Sequence, residues 1–357
     1  AKEWTAVLGS LALEVTWDVA ADRLGDVVSV GTLQSSSNET GGTDVHSAAA
    51  NDTSTNVYVH KVNAAGTMLW TLIGGGGGEG GALAVATDGQ RNILISGSFR
   101  TRELTFGHHN VRHYSADVHE PPNNTDVFLA KISPKGTVLW LRAYGGAGSE
   151  TGSELGVDLQ GGVYLAGDFN SPNLTFGGRE AISSISEPPS LSASSEQNDV
   201  FLAKVSPEGT VLWALTAGGV GAEHTAGMAI SNEGGIYVAG TYTSPDATFG
   251  SDLLRNTSLQ GVGIDTDNTF KRAAYYARDG RWELRTDRDV FLMKVTSSGT
   301  VQRARGFGGH GEEAAHGLAT GPGGQIFVCG QFWGNSINTG TFGTVKLEHR
   351  GERDGFL

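Results

Sequence analysis

Asp126-Val127-Phe128-Leu129-Ala130-Lys131 returns as Asp199-Val200-Phe201-Leu202-Ala203-Lys204 and again as Asp289-Val290-Phe291-Leu292-Met293-Lys294. Near-identical hexapeptides spread through one chain mark an internal repeat, and their short apolar, aromatic and β-branched character marks a strand. Val57-Tyr58-Val59-His60-Lys61 is a weaker copy, and Asp354-Gly355-Phe356-Leu357 begins another.

Beyond each complete copy, a turn ending in Gly-Thr leads into a second apolar strand that carries Trp70, Trp140 or Trp213, with Trp4 in the equivalent place and Arg303 replacing the Trp in the last copy. A Gly-Gly-x-Gly-x-Glu turn follows at 74–79, 145–150, 218–223 and 308–313, and Glu14 matches it in the first copy. From each Glu the chain runs through a strand, a Gly-containing turn and another strand to a closing Gly. That distance is 17 residues for Glu14 to Gly31, Glu150 to Gly167, Glu223 to Gly240 and Glu313 to Gly330, and 18 for Glu79 to Gly97. Each unit therefore has four short strands: a after the Glu, b ending at the Gly, c with the Phe-Leu-x-Lys motif, and d with the Trp. Gly-rich turns separate them and no helical periodicity appears, which is the pattern of a propeller blade.

These residues resemble the SBBP-type β-propeller repeat, whose units run Asp-x-Phe-x-x-Lys, then Gly-Gly-x-x-x-Asp/Glu, then two apolar strands ending at Gly. The resemblance implies an all-β chain of 1–357 forming a single β-propeller of five four-stranded blades. It implies little about activity, because propellers host enzymes, lectins and scaffolds alike. The first copy lacks the double Gly and the last lacks the Trp. Since the chain starts in d and stops in c, the strand at 3–8 is expected to complete the last blade beside Asp354–Leu357, hiding both edges. The b–c connections hold the insertions, at about 34–56, 103–125, 178–198, 250–288 and 334–353.

Composition supports this reading: 54 Gly against 9 Pro, with 38% hydrophobic residues, describes a folded chain rich in tight turns. A net charge of −13 argues against nucleic acid as a partner. No apolar run is long enough to span a bilayer, and the N-terminus does not read as a signal peptide, so the sequence is expected to be a mature form or a fragment. A single cysteine, Cys329, excludes an internal disulfide framework. Sequons at Asn38, Asn51, Asn123, Asn173 and Asn256 all fall in b–c connections and point to a secreted or cell-surface glycoprotein carrying N-linked glycans.

Several constellations carry candidate chemistry. Glu14, Glu79, Glu150, Glu223 and Glu313 could form a carboxylate ring for calcium, or each could accept N–H groups of its own turn, which folding alone would require. The recurring Trp reads as packing, and Lys61, Lys131, Lys204 and Lys294 as strand-end pairing residues. His108, His109, His113 and His119, with Asp117 and Glu120, offer imidazoles enough for zinc, but no fixed ligand spacing supports it and the segment reads first as a solvated polar loop without metal. The Gly74–Gly81 run is not a phosphate loop, because no Lys-Ser/Thr follows. The segment Tyr275-Tyr276-Ala277-Arg278-Asp279-Gly280-Arg281-Trp282-Glu283-Leu284 has a hairpin signal. With Arg272 and Arg285 it makes a basic aromatic knob suited to partner docking, through Arg272, Tyr275, Tyr276, Arg278, Arg281, Trp282 and Arg285; the alternative is a loop folded back over its own propeller face.

The expected function is a non-catalytic structural or adhesive surface glycoprotein domain that mediates protein–protein assembly, for example in a flagellar hair, with other assembly proteins or a second copy as partner. A lectin with one site per blade, using the repeated Glu and Trp, is the alternative. A five-bladed glycosidase ranks third, since Asp158, Asp168 and Glu154 are not unique to one blade.

Overall fold

The computed structural model describes residues 14–34, 55–115, 123–176, 179–182, 198–256, 275–278, 281–284, 288–338, 346–347 and 354–357. Every element among them is a β-strand, and the chain divides into two compact units, Ala1–Ser183 with Phe201–Thr216 and Ser184–Val200 with Ala217–Leu357.

In the first unit, repeat 1 is the meander β1 (Glu14–Ala21), β2 (Val27–Gln34), β3 (Thr55–Val62) and β4 (Met68–Gly75). Repeat 2 comprises β5 (Glu79–Thr87) and β6 (Ile93–Arg100), a hairpin of β7 (Glu103–Phe106) and β8 (His109–Arg112), then β9 (Asp126–Ile132) and β10 (Val138–Tyr144). Repeat 3 follows the same plan: β11 (Glu150–Val157) and β12 (Val163–Phe169), the hairpin β13 (Asn173–Phe176) and β14 (Arg179–Ile182), then β15 (Asp199–Val205) and β16 (Val211–Gly219), which pass through the unit boundary.

The second unit holds repeat 4, with β17 (Glu223–Ile230), β18 (Ile236–Tyr242), the hairpins β19 (Asp246–Phe249) with β20 (Asp252–Arg255) and β21 (Tyr275–Arg278) with β22 (Arg281–Leu284), and β23 (Asp289–Val295). One long strand, β24 (Val301–Thr320), is first strand d of repeat 4, paired with β23, and then strand a of repeat 5, paired with β25 (Ile326–Asn338). β25 also pairs with β26 (Lys346–Leu347) and β27 (Asp354–Phe356), so Asp354-Gly355-Phe356 takes the strand c place. All sheets are antiparallel, and the strands fall where the repeat places them. The expected strand at 3–8 lies outside the described residues.

The closing glycines have a steric cause. Strand a bulges at one place in all five repeats, at Thr16/Asp18, Ala82/Ala84, Gly152/Glu154, Thr225/Gly227 and Ala315/Gly317. The bulge drives a carbonyl onto the strand opposite. A Cβ on Gly31, Gly97, Gly167, Gly240 or Gly330 would overlap the oxygen of Val15, Gly81, Thr151, His224 or Ala314 respectively. On the other side of that glycine lies the aromatic of the hexapeptide, in registers such as Gly31↔Tyr58, Gly97↔Phe128, Gly240↔Phe291 and Gly330↔Phe356. Gly and Phe are thus two halves of one packing solution.

Beneath them, Val28, Val30, Val59, Ile95, Phe128 and their neighbours form one apolar cluster of the first unit, and Val127, Leu129, Leu165 and Phe201 another. Ala239, Val290, Leu292 and Ala315 pack together in the second unit.

Within the first unit, the recurring polar side chains tie each repeat to its neighbour and to its own turns. The indole N–H of Trp70 donates to Pro134 O at 3.1 Å and that of Trp140 to Pro207 O at 3.0 Å, so each Trp ties its strand d to the c–d turn of the next repeat. Lys61, Lys131 and Lys204 pair with Asp22, Asp88 and Asp158 of the a–b turns at 3.0, 3.0 and 3.2 Å. Those turns place a glycine at positive φ, Gly25, Gly161, Gly234 or Gly324, but repeat 2 puts Arg91 there, at φ 67°. Strain of this kind persists only where surroundings hold it. Here the Arg91 guanidinium spans Asp22 at 2.8 Å and Asp26 at 2.5 Å in repeat 1, completing a four-charge cluster with Lys61.

Burial acts to raise the Asp22 pKa, but hydrogen bonds from Lys61 and Arg91 outweigh it and hold the carboxyl at about 2. The stability this contributes is present above the ordinary carboxylate range and is lost as pH falls toward 2. Asp22→Asn should cost about 3 kcal/mol at neutral pH, the scale of a broken buried pair. It should also flatten the acid limb of a stability–pH curve measured by urea unfolding.

Candidate functional site

The Gly-Gly-x-Gly-x-Glu turn is where one repeat passes to the next, and the carboxylate organises it. Glu150, Glu223 and Glu313 are buried, and their Oε2 atoms accept the N–H of Gly146, Gly219 and Gly309 at 3.0, 2.9 and 3.2 Å. Ser171 and Ser244, four residues beyond the closing Gly, donate their hydroxyls to Oε1 of Glu150 and Glu223. The same hydroxyls accept from Gly148 N and Gly221 N, both at 2.7 Å. One glutamate and one serine therefore satisfy two otherwise orphaned N–H groups of a tight turn and bond to each other. The sequence signal for the serine is its constant offset of four residues from the closing Gly, Gly167 to Ser171 and Gly240 to Ser244.

Strand c contributes a second acid. Asp126, Asp199 and Asp289 are buried, with their carboxyls against Gly145, Gly218 and Gly308. Tyr114 N donates to Asp126 Oδ2 at 2.6 Å, and Tyr242 donates its hydroxyl to Asp289 Oδ2 at 3.3 Å. Burial raises Asp126 to about 7 against the Tyr114 hydrogen bond. It raises Glu150 to about 8 and Glu223 to about 7, with Asp126 and Asp199 adding to the shift and the serines opposing it.

The five glutamates do not occupy one structural position. Glu14, Glu150, Glu223 and Glu313 lie opposite Leu33, Phe169, Tyr242 and Phe332, each two residues after the closing Gly. In repeat 2 the residue opposite Phe99 is Gly80, and Glu79 lies opposite Arg100. The extra residue in its spacing moves Glu79 by one along the strand and so turns its side chain to the other face. Its side chain is 70% exposed and 3.4 Å from Arg100, where the Glu150 residue is 0% exposed. The glycine tract is displaced likewise: Gly75, not Gly74, corresponds to Gly145. Among the described residues, no group of three or more His, Cys, Asp and Glu side chains is placed to hold a metal.

The other candidate residues fall as follows. Of the residues that the lectin alternative uses, Trp140, Glu150, Glu223 and Glu313 are buried, Trp70, Trp213 and Glu14 are half-buried and Glu79 is exposed; Trp70 and Trp140 spend their indole N–H groups on backbone carbonyls. His109 lies 3.1 Å from Val138 O, and His113 is buried beside Asn124 O; His119, Asp117 and Glu120 are outside the described residues. Asp158 caps its own a–b turn and pairs with Lys204. Asn123 and Asn173 are exposed, whereas Asn256 is 1% exposed. Asn256 is the repeat equivalent of His113: both lie sixteen residues after a closing Gly, and both donate their backbone N–H back across the hairpin, to Pro245 O and Arg102 O. Asn38 and Asn51 lie outside the described residues.

The b–c connections are anchored. β7 pairs with β4 of repeat 1 through Gly74↔Phe106 and Gly75↔Thr105; Thr175 bridges to Gly145 of repeat 2; β19 pairs with the end of strand d of repeat 3 through Gly218↔Thr248 and Gly219↔Ala247. Gly308 and Gly309 meet Asn338 and Ile337 in the same way. Each hairpin thus crosses to the preceding repeat at its double glycine. The segments 103–125 and 334–353 accordingly include residues of this pairing, and 250–288 includes the second strand of its hairpin, β20. Leu-Thr-Phe-Gly at 104–107 and 174–177, and Ala-Thr-Phe-Gly at 247–250, are the sequence signal that marks it. Further along the connection of repeat 4, β21 and β22 form the expected hairpin, in the register Tyr275↔Leu284 to Arg278↔Arg281; Arg272 and Arg285 are outside the described residues.

Comparison with known proteins supports a repeat architecture. The chain is 23% identical over 332 residues to an uncharacterized WD repeat-containing protein of Acanthamoeba polyphaga mimivirus, an alignment that covers 84% of this chain and 22% of that protein. The chain therefore spans under a quarter of its relative's length. No family model matches the chain, so the SBBP resemblance rests on the motifs alone.

The two environments of the glutamates predict different costs. Glu150→Ala, which strips acceptors from Gly146 N–H and Ser171, should destabilise the chain by about 1–3 kcal/mol, while Glu79→Ala should change stability by less than about 0.5 kcal/mol. Urea unfolding of the two variants beside the parent chain measures the contrast.

Proposed function

We propose that the chain is a β-propeller of five four-stranded blades that acts as a non-catalytic scaffold for protein–protein contacts, presented by the connections between strands b and c. The observation that carries this reading is the rooting of those connections. A loop that leaves a hairpin pinned to two neighbouring repeats starts from a fixed position, which lowers the ordering cost of binding through it. Likeness to a WD repeat-containing protein supports the same reading, because WD repeats are propeller blades.

In this proposal the β21–β22 hairpin is the principal contact, offering Tyr275, Tyr276, Arg278, Arg281 and Trp282 with flanking Arg272 and Arg285 to an acidic partner surface, on another assembly protein or on a second copy. Replacing Arg278, Arg281 and Trp282 by Ala should weaken that association on the order of tenfold or more, with an unchanged circular dichroism spectrum. Cross-linking mass spectrometry of the native assembly, followed by sedimentation of the chain with the partner it identifies, tests this. Unaltered affinity in the variant would remove the hairpin from the binding surface.

The scaffold is proposed to work in a secreted or cell-surface setting. Asn123 and Asn173 should then carry glycans in material from the natural source and Asn256 should not, because its carboxamide is enclosed by the folded repeat. Glycopeptide mapping reads all three sites, and bare Asn123 and Asn173 would count against the surface setting.

A further inference from the structure

At three junctions between consecutive repeats a buried aspartate and a buried glutamate flank one Gly-Gly step. Asp126 and Glu150 do so at Gly145-Gly146, Asp199 and Glu223 at Gly218-Gly219, and Asp289 and Glu313 at Gly308-Gly309. In the second of these, a Cβ on Gly218 would touch both Asp199 Oδ1 and Glu223 Oε2, which fixes how close the two carboxyls lie. The backbone closes the junction over them: Glu150 N donates to Thr125 O at 2.8 Å, Glu223 N to Asn198 O at 2.7 Å and Glu313 N to Arg288 O at 2.9 Å.

Around Asp126 and Glu150, the facing groups are known from every neighbouring element. His113, after β8, has Nε2 3.5 Å from Asp126 Oδ1; its Nδ1 accepts Ser115 N, so the ring proton sits on Nε2, within reach of Asn124 O. Burial lowers the His113 pKa and keeps that ring neutral. From β10 come the Tyr144 hydroxyl, which is buried, and Arg142, whose guanidinium is held by the carbonyls of Gly209, Glu208 and Leu141. Arg100 of β6 faces Glu79 and Asn123. Ser171, beyond β12, donates to Glu150. Among the described residues, Asp126 Oδ1 has no hydrogen-bond partner. Two anions in such an enclosure repel and lose hydration together, and the remedy is a proton. Tyr242, whose pKa is raised by burial and then by Asp289, with Glu223 and Glu313 adding, faces the acids of the second unit, where Arg255 lies toward Asp246.

The junction between repeats 1 and 2 lacks both acids. Asn56 stands at the aspartate position, against Gly75, and Gly80 stands at the glutamate position. If each acid merely served its own turn, either could vary alone. Their joint absence marks them as a coupled pair.

We propose that each acidic pair binds one proton in the folded chain near neutral pH, and that loss of this proton as pH rises loosens the junction it closes, making the array a scaffold that acid holds shut. The sign follows from linkage: a carboxyl whose folded pKa exceeds its unfolded one stabilises fully below the unfolded pKa and loses that contribution as pH rises through the folded pKa. For Asp126, Glu150 and Glu223 the window ends at about 7 to 8. Histidines act below this window and tyrosines above it.

Peptide-resolved hydrogen exchange of the whole chain between pH 6.5 and 8.5 tests the proposal, with the acid-free junction as internal control. After correction for intrinsic exchange, opening of peptides from β11 and β17 should increase with pH, by up to about tenfold per unit for one linked proton, while β5 stays flat. In Asp126→Asn the β11 response should shrink and move to lower pH, because burial still raises Glu150 but the facing acid no longer adds to it. Equal pH dependence in β5 and β11, or an unchanged response in Asp126→Asn, overturns the proposal. So does full protection of β11 at pH 8.5 that requires added calcium, which would make a cation the ligand. Should the variant not fold, the comparison of β11 with β5 in the parent chain decides alone.

Discussion

The close approach of strand a to strand b at the closing glycine sets everything else in a repeat. A bulge pushes one carbonyl into the space that a Cβ would fill, and the aromatic of strand c packs over the remaining face of that glycine. Strand order follows, since a, b and c are locked in register at one point. The chain leaves strand a already turned, and the residues two positions beyond the glycine then meet the first residue of strand a, where the turn glutamate stands. Without the glycine the bulge could not form, and without the bulge the glutamate would not point inward.

That inward glutamate binds the repeats into an array. Its carboxylate replaces water for the N–H groups of a Gly-rich turn too tight to satisfy itself, and the strand d tryptophan performs a comparable task on the opposite side by reaching for the neighbouring c–d turn. Polar groups placed at junctions in this way give orientation as well as affinity between neighbours, because a hydrogen bond fixes direction where apolar packing alone would tolerate sliding. Arg91 shows how far this goes: it holds a left-handed backbone conformation that glycine occupies in the other repeats, and it is kept there by two aspartates of the preceding repeat.

Most of the strand plan was legible in the sequence, since the hexapeptide, the Trp strand and the Glu-to-Gly spacing each repeat with little variation, and every one of them is tied to a contact. Equivalence within the glycine tract at 74–78 was not. A run of identical residues carries no register, so Glu79 matches Glu150 in sequence although Phe99, the equivalent of Phe169, lies opposite Gly80. The anchoring of the b–c hairpins was hidden for a different reason. Leu-Thr-Phe-Gly is repeated in plain view, but its partner is a backbone edge of the preceding repeat, and backbone edges leave no mark on the residues that form them. The burial of Asn256 was hidden by the same limitation: a sequon reads from three residues, whereas burial depends on a hairpin closed eleven residues away at Pro245.

The crossing of each b–c hairpin to its neighbour's double glycine also bears on how such an array can lengthen or shorten. The repeat read from the sequence, from one glutamate to the next, is not the unit that keeps its hydrogen bonds when cut out, because its hairpin would leave its dock behind. Duplication or deletion in evolution, and any attempt to recombine these units in the laboratory, would preserve pairing only if the breakpoints fell so that a double glycine travelled with the hairpin that follows it. The natural module is therefore offset from the visible one, and lineages that gain or lose repeats should carry their joints inside strand c or d.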